Sequence, residues 1–297
     1  MAVSTTPRPA APEATPSPLR RFLRRYRQER LAVAATVLLV LIAAVAIAAP
    51  ALAPHDPNDT DLIAKFAEWG EDGHLLGTDD LGRDAFSRLL YGTRITLVAP
   101  FIAVGVALVL GLPTGLLAGF RGGIIDAVLG RVSDALLALP GLVLAIAVVA
   151  ARGPGTVNAM TAVGIAFAPR VFRIVRGATL GVRAETFIEA SRAAGASSTR
   201  LIGSHVLPNI LPPLIVQVSV MLGFAVLTEA GLSFLGIGVQ PPDASWGVLL
   251  RRGFDHLQAA PLLSFPPGLM IMVLTLCFQF IGDGLRDSLG KEIRRER

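Results

Sequence analysis

The chain has 297 residues, of which 53% are hydrophobic and only 16% are charged, and its mean hydropathy is +0.61. Soluble domains carry about 25% charged residues, so this composition excludes an ordinary soluble enzyme and favours a protein that crosses the membrane several times. The net charge of +5 comes from arginines beside apolar stretches, which is typical of a membrane surface and not of a nucleic-acid-binding footprint.

The first fifty residues predict a tail followed by a membrane helix. Residues 1–18 are rich in proline, alanine, serine and threonine, which is typical of disorder, and arginines follow up to position 30. Residues 31–49 carry no charge and, as a helix, nearly cross the hydrocarbon core. We therefore predict a disordered, basic cytoplasmic tail over 1–30 and a first transmembrane helix over 31–53. A cleaved signal peptide is the alternative, although the apolar region of such peptides is only about 7–15 residues long.

The rest of the chain predicts loops and five further spans. Residues 54–92 are acidic with few basic residues, which favours an extracytoplasmic loop because the positive-inside bias is absent there. Apolar runs predict helices over about 95–120, 132–151, 157–175, 206–235 and 265–281. Six crossings place both termini in the cytoplasm, including a basic tail over 284–297. The predicted fold class is thus an all-α polytopic membrane protein with six transmembrane helices, five of them within 93–283.

Between the last two spans, residues 236–264 predict an extracytoplasmic loop that carries a short interfacial helix. The apolar face of that helix would hold Trp246, Leu249, Leu250, Phe254 and Leu257.

Three glycines in the second span predict close helix packing. Gly111, Gly115 and Gly119 are spaced by four residues, so they share one face of a helix. Small residues at this spacing let a neighbouring helix approach closely. The alternative is that they only relieve crowding and mark no particular partner.

The sequence lacks the usual signatures of an enzyme or a metal site. A phosphate-binding loop needs Gly-Lys-Ser/Thr, and the two lysines, Lys65 and Lys291, do not stand in that pattern. If transport is driven by ATP, the ATPase must therefore be another subunit. The four histidines show no metal-ligand spacing, and no hydrolase motif occurs. We expect no catalytic residue, no bound metal and no cofactor in this chain.

Two carboxylates fall within predicted spans, where charges are costly and usually functional. Asp134 lies near the start of the third span and Glu229 in the fifth. Both are candidates for the translocation pathway or its gate. The alternative is that each is a structural partner of a polar backbone group or an arginine.

The most informative segment lies between the fourth and fifth spans, at about residues 185–208. It predicts an alanine-rich helix that Gly195 stops, followed by a second helix that Ser197 or Ser198 caps. Its small side chains leave a smooth surface that another protein can approach. Composition alone does not distinguish this from an ordinary cytoplasmic helix hairpin.

This segment resembles the EAA loop of permeases in ATP-binding-cassette (ABC) importers. Glu189, Ala190, Gly195, Leu207 and Pro208 match that pattern at its spacing. Two positions depart from the pattern, since Ser191 replaces its second alanine and His205 stands at its usual isoleucine. In the family the loop forms a coupling helix that inserts into a cleft on the ATPase. The resemblance implies that Glu189 faces a basic group there and that Gly195 allows the turn.

The resemblance extends over nearly the whole chain after residue 30 and is greatest for dipeptide, oligopeptide and nickel permeases. Segments 77–84, 229–236 and 282–287 are similar to that branch, and the order of its loops resembles the second of two paired permeases. The resemblance implies the type I ABC importer permease fold in the bacterial inner membrane. The implied partners are a homologous permease, two ABC ATPases that bind ATP and Mg²⁺, and an extracytoplasmic binding protein. The resemblance implies peptides as the first choice of substrate and nickel or a metal chelate as the second.

Two other classes of function are less consistent with the sequence. A secondary transporter driven by an ion gradient would be expected to show an inverted repeat and a carboxylate relay. A membrane scaffold without transport is the other class, since a fold alone does not establish a function.

Overall fold

The computed structural model describes residues 18–293, and the side chains of residues 20–289. The described chain is helical, apart from turns and one isolated bridge between Thr78 and Asp84. The α-helices of the described chain are α1 (Pro18–Tyr26), α2 (Arg30–Leu52), α3 (Ala85–Arg121), α4 (Gly123–Leu137), α5 (Gly141–Arg152), α6 (Thr156–Arg183), α7 (Thr186–Ala193), α8 (Ser198–Leu201), α9 (Leu207–Phe234), α10 (Trp246–Asp255) and α11 (Phe265–Ile293).

Side-chain contacts define the direction in which the outer helices run. Gly284 on α11 lies against Tyr26 and Ala32, so the end of α11 meets the start of α2. Arg94 near the start of α3 donates a 2.7 Å hydrogen bond to the carbonyl of Ala46 near the end of α2. The helices α2 and α3 therefore run antiparallel, and the end of α3 lies at the same end of the bundle as the start of α2. We call this the α7 end and the opposite one the α10 end.

The central helices α3 and α6 run parallel, which determines how often the chain passes through the bundle. The start of α6 lies at the α10 end, where the N–H of Gly155 donates to the carbonyl of Ile237, just after α9, at 3.5 Å. Because α3 ends at the α7 end, the pair α4 and α5 must carry the chain back to the α10 end. The described chain thus makes six passes: α2, α3, the α4–α5 pair, α6, α9 and α11.

Length and composition support fewer membrane spans than six. Four helical stretches are long and apolar enough to cross a membrane: Arg30–Leu52, Ala85–Arg121, Ser198–Phe234 and Pro261–Leu289. The pair α4 and α5 is bent by 88° and counts as a fifth if it is one broken span. The sixth pass, α6, does not qualify. It is 28 residues long, but Arg170, Arg173 and Arg176 lower its hydropathy. The all-helical polytopic fold is confirmed, while the sixth membrane span stays a prediction.

Several predicted boundaries differ from the structure. The second span begins at Ala85 and not near 95, because the Asp84 side chain accepts the N–H of Ser87 at 2.7 Å and caps α3 there. The predicted loop 54–92 therefore ends at Asp84. The predicted third span 132–151 is two helices, interrupted around Pro140.

The terminal tails are also more helical than predicted. Within the predicted disordered tail 1–30, residues 18–26 form α1, and residues 1–17 lie outside the described part. Tyr26 at the end of α1 shares a 2.7 Å hydrogen bond with Thr36 of α2. The predicted tail 284–297 continues α11 as far as Ile293, and residues 294–297 lie outside the described part.

The three glycines of α3 face α6 directly. A Cβ atom added at Gly111, Gly115 or Gly119 would lie 2.6–2.8 Å from a backbone carbonyl oxygen of α6. Gly164 of α6 meets the carbonyl of Ala103 on α3 in the same way, at 2.6 Å. Any side chain on these positions would separate the two helices, so the glycines set their close approach.

Helix α10 is docked into the bundle and is not the interfacial helix that the sequence predicts. The Trp246 side chain is fully buried, and its Nε1–H donates to the carbonyl of Leu89 at 3.1 Å. The Trp246 backbone N–H donates to Oγ1 of Thr96 at 3.0 Å. Only the last part of the predicted apolar face remains exposed, at Phe254 and Leu257. The apolar pattern of α10 therefore reflects burial within the bundle, against α3, α9 and α11.

The loop between α2 and α3 is held by a buried ion pair. Arg83 donates to Asp79 through Nη2 at 2.6 Å and through Nε at 2.9 Å. A second pair, Arg252 to Asp80 at 2.6 Å, joins the loop to α10. Burial by itself raises the pKa of Asp79, but hydrogen bonds from Arg83 and from the N–H of Leu81 outweigh it and lower the pKa below its ordinary value of 3.8.

The contact between α3 and α6 predicts a difference between two glycines of the same helix. We expect Gly115→Ala to lower the free energy of unfolding by about 1–3 kcal/mol, because the new methyl group overpacks the contact. Gly105→Ala is the matched control, since a Cβ there has no neighbour within 4 Å and alanine favours helices. Unfolding of the purified chain in mixed micelles, followed by circular dichroism, compares the two. Equal stability of both variants would show that the close approach is unimportant.

The Asp79–Arg83 pair predicts a pH-dependent stability. A carboxyl with a lowered pKa in the folded state contributes stability above its unfolded pKa, and that contribution disappears as the pH falls through the lowered value. At pH 7 we expect Asp79→Asn to cost about 3–5 kcal/mol, because it leaves Arg83 buried without its partner. Below pH 3.8, the ordinary value, the difference between wild type and variant should shrink. Asp59→Asn, at an exposed position, is the control and should show no such difference at any pH.

Candidate coupling site

The predicted coupling segment forms a short helix that a glycine turn closes at the α7 end. Gly195 has a φ of +87°, a left-handed conformation that glycine adopts without steric cost. Its N–H donates to the carbonyl of Arg192 at 3.0 Å, and the N–H of Ala196 donates to the carbonyl of Ser191 at 3.1 Å. These two bonds are the Schellman motif. They terminate α7 where the sequence predicts a stop.

Three buried side chains attach this segment to the bundle. Ile188 and Val206 are fully buried, and Leu201 is 1% exposed. The residues of the predicted motif lie on the other side, where Glu189, Ala190, Gly195 and Pro208 are exposed and Ser191 and Leu207 are half-buried. We call residues 186–201 the docking platform. Its polar and small residues face outward, as does Phe187, while buried Ile188 and Leu201 hold it in place.

The docking platform continues into α9 through an unusual turn. The Oγ of Ser197 accepts the N–H of Arg200 at 3.4 Å and caps α8. The chain then forms a π-helical turn over Ile202–Val206 before α9. Pro208 has no N–H to donate to the preceding turn, and local π-helical adjustments accommodate such a break in membrane helices. The platform is therefore continuous with α9 on one side and joined to α6 by two residues on the other.

Asp134 lies on the surface of the described chain, and the pathway or gate role predicted for it stays a prediction. Its side chain is 61% exposed and accepts a 2.8 Å hydrogen bond from Arg173 of α6. Asp126 makes a similar contact with Arg176, at 2.6 Å through Nη2. Both carboxylates of α4 thus pair with arginines of α6. An exposed ion pair of this kind contributes only about 0–1 kcal/mol.

Glu229 is buried beneath α10. It is 1% exposed, and its Oε1 accepts a 2.7 Å hydrogen bond from Ser233, one turn further along α9. The same Ser233 hydroxyl accepts the N–H of Val239 at 3.2 Å. Close by, a Cβ on Gly247 would lie 2.6 Å from the carbonyl of Ala230, so α10 packs tightly against α9. Glu229 therefore contributes to the polar contact between α9 and α10.

Folding also brings together residues that the sequence keeps apart. His55, His74 and Asp84 each place one potential ligand atom within 4.8 Å of the others. Their separations along the chain match no metal-binding motif, so spacing gave no signal. The acidic character of residues 54–92 was visible in the sequence, but the selective burial of Asp79 and Asp84 was not.

Comparison with known proteins identifies the family. Residues 111–295 match the family described as binding-protein-dependent transport system inner membrane component. The chain belongs to this permease family. Residues 17–68 also match the N-terminal transmembrane domain of oligopeptide transport permease C. The predicted resemblance to the dipeptide and oligopeptide branch is thereby confirmed, and the family is an inner-membrane component of transport systems.

Individual relatives cover nearly the full length of this permease. The glutathione transport system permease protein GsiD of Pectobacterium atrosepticum is 40% identical over 94% of this chain and 92% of its own. The dipeptide transport system permease protein DppC of Haemophilus influenzae is 38% identical over 99% of this chain and 100% of its own.

A solved structure supports the fold. A chain of the MetNI methionine ABC transporter, in inward-facing conformations, aligns with a TM-score of 0.56 and 23% identity. The alignment covers 68% of this permease and 97% of that chain. The predicted ABC importer permease fold is therefore confirmed.

The turn at Gly195 predicts the effect of two substitutions on energy coupling. Gly195→Pro should insert into the membrane but uncouple ATP hydrolysis from uptake. Proline holds φ near −65°, and it removes the N–H that bonds to Arg192. Gly195→Asn is the control, because asparagine tolerates the left-handed conformation. The ratio of ATP hydrolysed to substrate taken up, in reconstituted vesicles, measures coupling. A wild-type ratio for the proline variant would contradict the assignment.

Proposed function

We propose that this permease is the second transmembrane subunit of an ABC importer for short peptides in the bacterial inner membrane. It pairs with a homologous permease, and an extracytoplasmic binding protein delivers the substrate. Two ABC ATPases bind at the α7 end, which faces the cytoplasm, as do both termini. ATP and Mg²⁺ bind to those ATPases, and no step of ATP hydrolysis takes place on this chain.

The observation that carries the proposal is the exposed docking platform. A surface that must fit a cleft in another protein needs small, polar side chains outside and firm attachment inside. Ala190, Ala193 and Gly195 provide the smooth outer surface, and buried Ile188 and Leu201 provide the attachment. Phe187 is the one large apolar side chain that this surface exposes, whereas the long apolar helices expose many.

Charge distribution supports the proposed orientation. Cytoplasmic segments of membrane proteins carry an excess of arginine and lysine. The α7 end has Arg121, Arg183, Arg192, Arg200 and Arg286. The loop before α3 at the α10 end has instead a large excess of aspartate and glutamate.

The docking platform is placed to move two helices together. It is joined by short connections to α6 and α9, so a partner that pulls the platform displaces both helices as a rigid unit. A groove of about 410 Å³ lies between α5, α6 and α9, lined in part by Phe167, Arg170 and Thr228. We propose that this groove forms part of the wall of the translocation pathway, and the pathway or gate role of Glu229 and Asp134 stays a prediction. The exposed guanidinium of Arg170 fits a peptide carboxylate.

Peptides are the proposed substrate class because of the relatives. The names of the relatives described above specify glutathione, itself a tripeptide, and dipeptides. Nickel or a metal chelate is the second choice.

Uptake by the assembled importer in proteoliposomes tests the proposed function. Labelled dipeptide should accumulate only when the ATPases, the binding protein and ATP are all present. Uptake that persists without ATP but collapses when an ionophore is added would instead establish a secondary transporter.

The exposed carboxylate of the platform predicts a specific binding defect. We expect Glu189→Arg to weaken binding of the ATPase by about 30-fold or more, because loss of one partner of an interfacial charge pair costs about 2–5 kcal/mol. Asp287→Arg is the matched control. It makes the same charge change at an exposed residue of the α7 end, outside the platform. Co-purification and titration of the ATPase onto nanodisc-embedded permease measure the affinity. Similar losses in both variants would reject a role for Glu189.

A further inference from the structure

Two histidines and an aspartate converge on one point between the end of α2 and the start of α3. Nδ1 of His74 lies 2.9 Å from Oδ1 of Asp84, and Nδ1 of His55 lies 3.7 Å from the same oxygen. The two imidazole rings face each other with their centroids 4.6 Å apart. All three potential ligand atoms lie within 4.8 Å of one another.

Each of the three residues is held by a different segment. His55 follows the end of α2, His74 follows a single 3₁₀ turn in the loop, and Asp84 is the N-cap of α3. Ser87 links two of them, since its N–H donates to Oδ2 of Asp84 at 2.7 Å and its hydroxyl accepts the N–H of His55 at 3.2 Å. Outer contacts of this kind orient metal ligands in proteins.

Asp84 is a buried carboxylate beside two imidazoles, an arrangement that suits a bound cation. Its side chain is fully buried, and an ionised carboxylate in such a place must be paired or neutralised. Among the described residues, its ion-pair partners are His55 and His74, whereas Asp79 nearby has an arginine. One divalent cation between the two imidazoles and the carboxylate would pair with Asp84 and take one ring nitrogen from each histidine.

We propose that His55, His74 and Asp84 bind a divalent transition-metal ion, with Zn²⁺ as the ion that best matches two imidazoles and one carboxylate. Bonds of about 2.0–2.2 Å hold the ligands of zinc about 3–4 Å apart. The distances from the two histidine nitrogens to Asp84 fall in or next to that range. The side chain of His55 is 40% exposed, so a small rotation can bring its ligand nitrogen within that range of the His74 nitrogen. Water completes the tetrahedron from the exposed side.

The bound ion ties the end of α2 to the start of α3 and fixes the loop between them. Its role is structural, and it is independent of the peptide import proposed above. The site lies at the α10 end, far from the docking platform, so its loss should leave the binding of the ATPase unchanged.

Metal binding to the full-length chain tests the inference. The permease is purified in detergent through a tag without histidine, stripped with a chelator, dialysed, and titrated with Zn²⁺ in a calorimeter and with Co²⁺ in a spectrophotometer. We expect one ion per chain and the visible absorption of tetrahedral Co²⁺. His55→Gln removes the most exposed ligand with the least risk to folding, and it should weaken binding by more than about 10-fold, the lower end of what even an outer contact contributes. His74→Gln and Asp84→Asn should do the same, and asparagine keeps the helix cap.

His256→Gln is the matched control, because that partly exposed histidine lies outside the cluster. It should bind Zn²⁺ like the wild type. Circular dichroism confirms that each variant is folded. The inference is overturned if the folded wild type binds no Zn²⁺ at micromolar concentrations. It is equally overturned if His55→Gln binds as tightly as His256→Gln.

Discussion

The close contact between α3 and α6 is the constraint on which the rest of the structure depends. Gly111, Gly115 and Gly119 bring the backbone of α3 against the carbonyl oxygens of α6. A lipid bilayer gives helices little hydrophobic reason to associate, so close packing of this kind must hold them together. Because the two helices run parallel, the chain must return between them through α4 and α5. That return is the part of the fold that departs most from a straight membrane helix.

The same pair determines where the docking platform can lie. The platform follows the end of α6, and the Arg192 guanidinium lies 5.9 Å from the ring of Phe120 near the end of α3. Its other connection, the π-helical turn before Pro208, leads directly into α9. A small, exposed surface is thereby joined to the three helices that form the centre of the bundle. This arrangement suits the proposed role of a subunit that receives mechanical work from a partner.

The opposite end is held by polar contacts. Asp79 and Arg83 form a buried ion pair inside the loop, and Arg252 attaches the loop to α10 through Asp80. Trp246 then attaches α10 to α3. The triad of His55, His74 and Asp84 lies beside this network and joins the two helices that enter the loop. The α10 end, which the proposed binding protein would approach, is therefore closely packed.

The sequence by itself determined the class of protein and the local structure of one segment. Apolar runs separated by arginines indicated the four helical stretches that are long and apolar enough to cross a membrane. The pattern from Glu189 to Pro208 located the glycine stop and the helix cap of the platform, because such features depend on nearby residues. It did not determine that 132–151 is broken, that α10 is buried, or that Asp134 is exposed. Those outcomes depend on which distant helices meet. Only the tertiary structure placed His55 beside Asp84 and Trp246 beside Leu89, because contacts between residues far apart in the chain leave no periodic signal in one sequence.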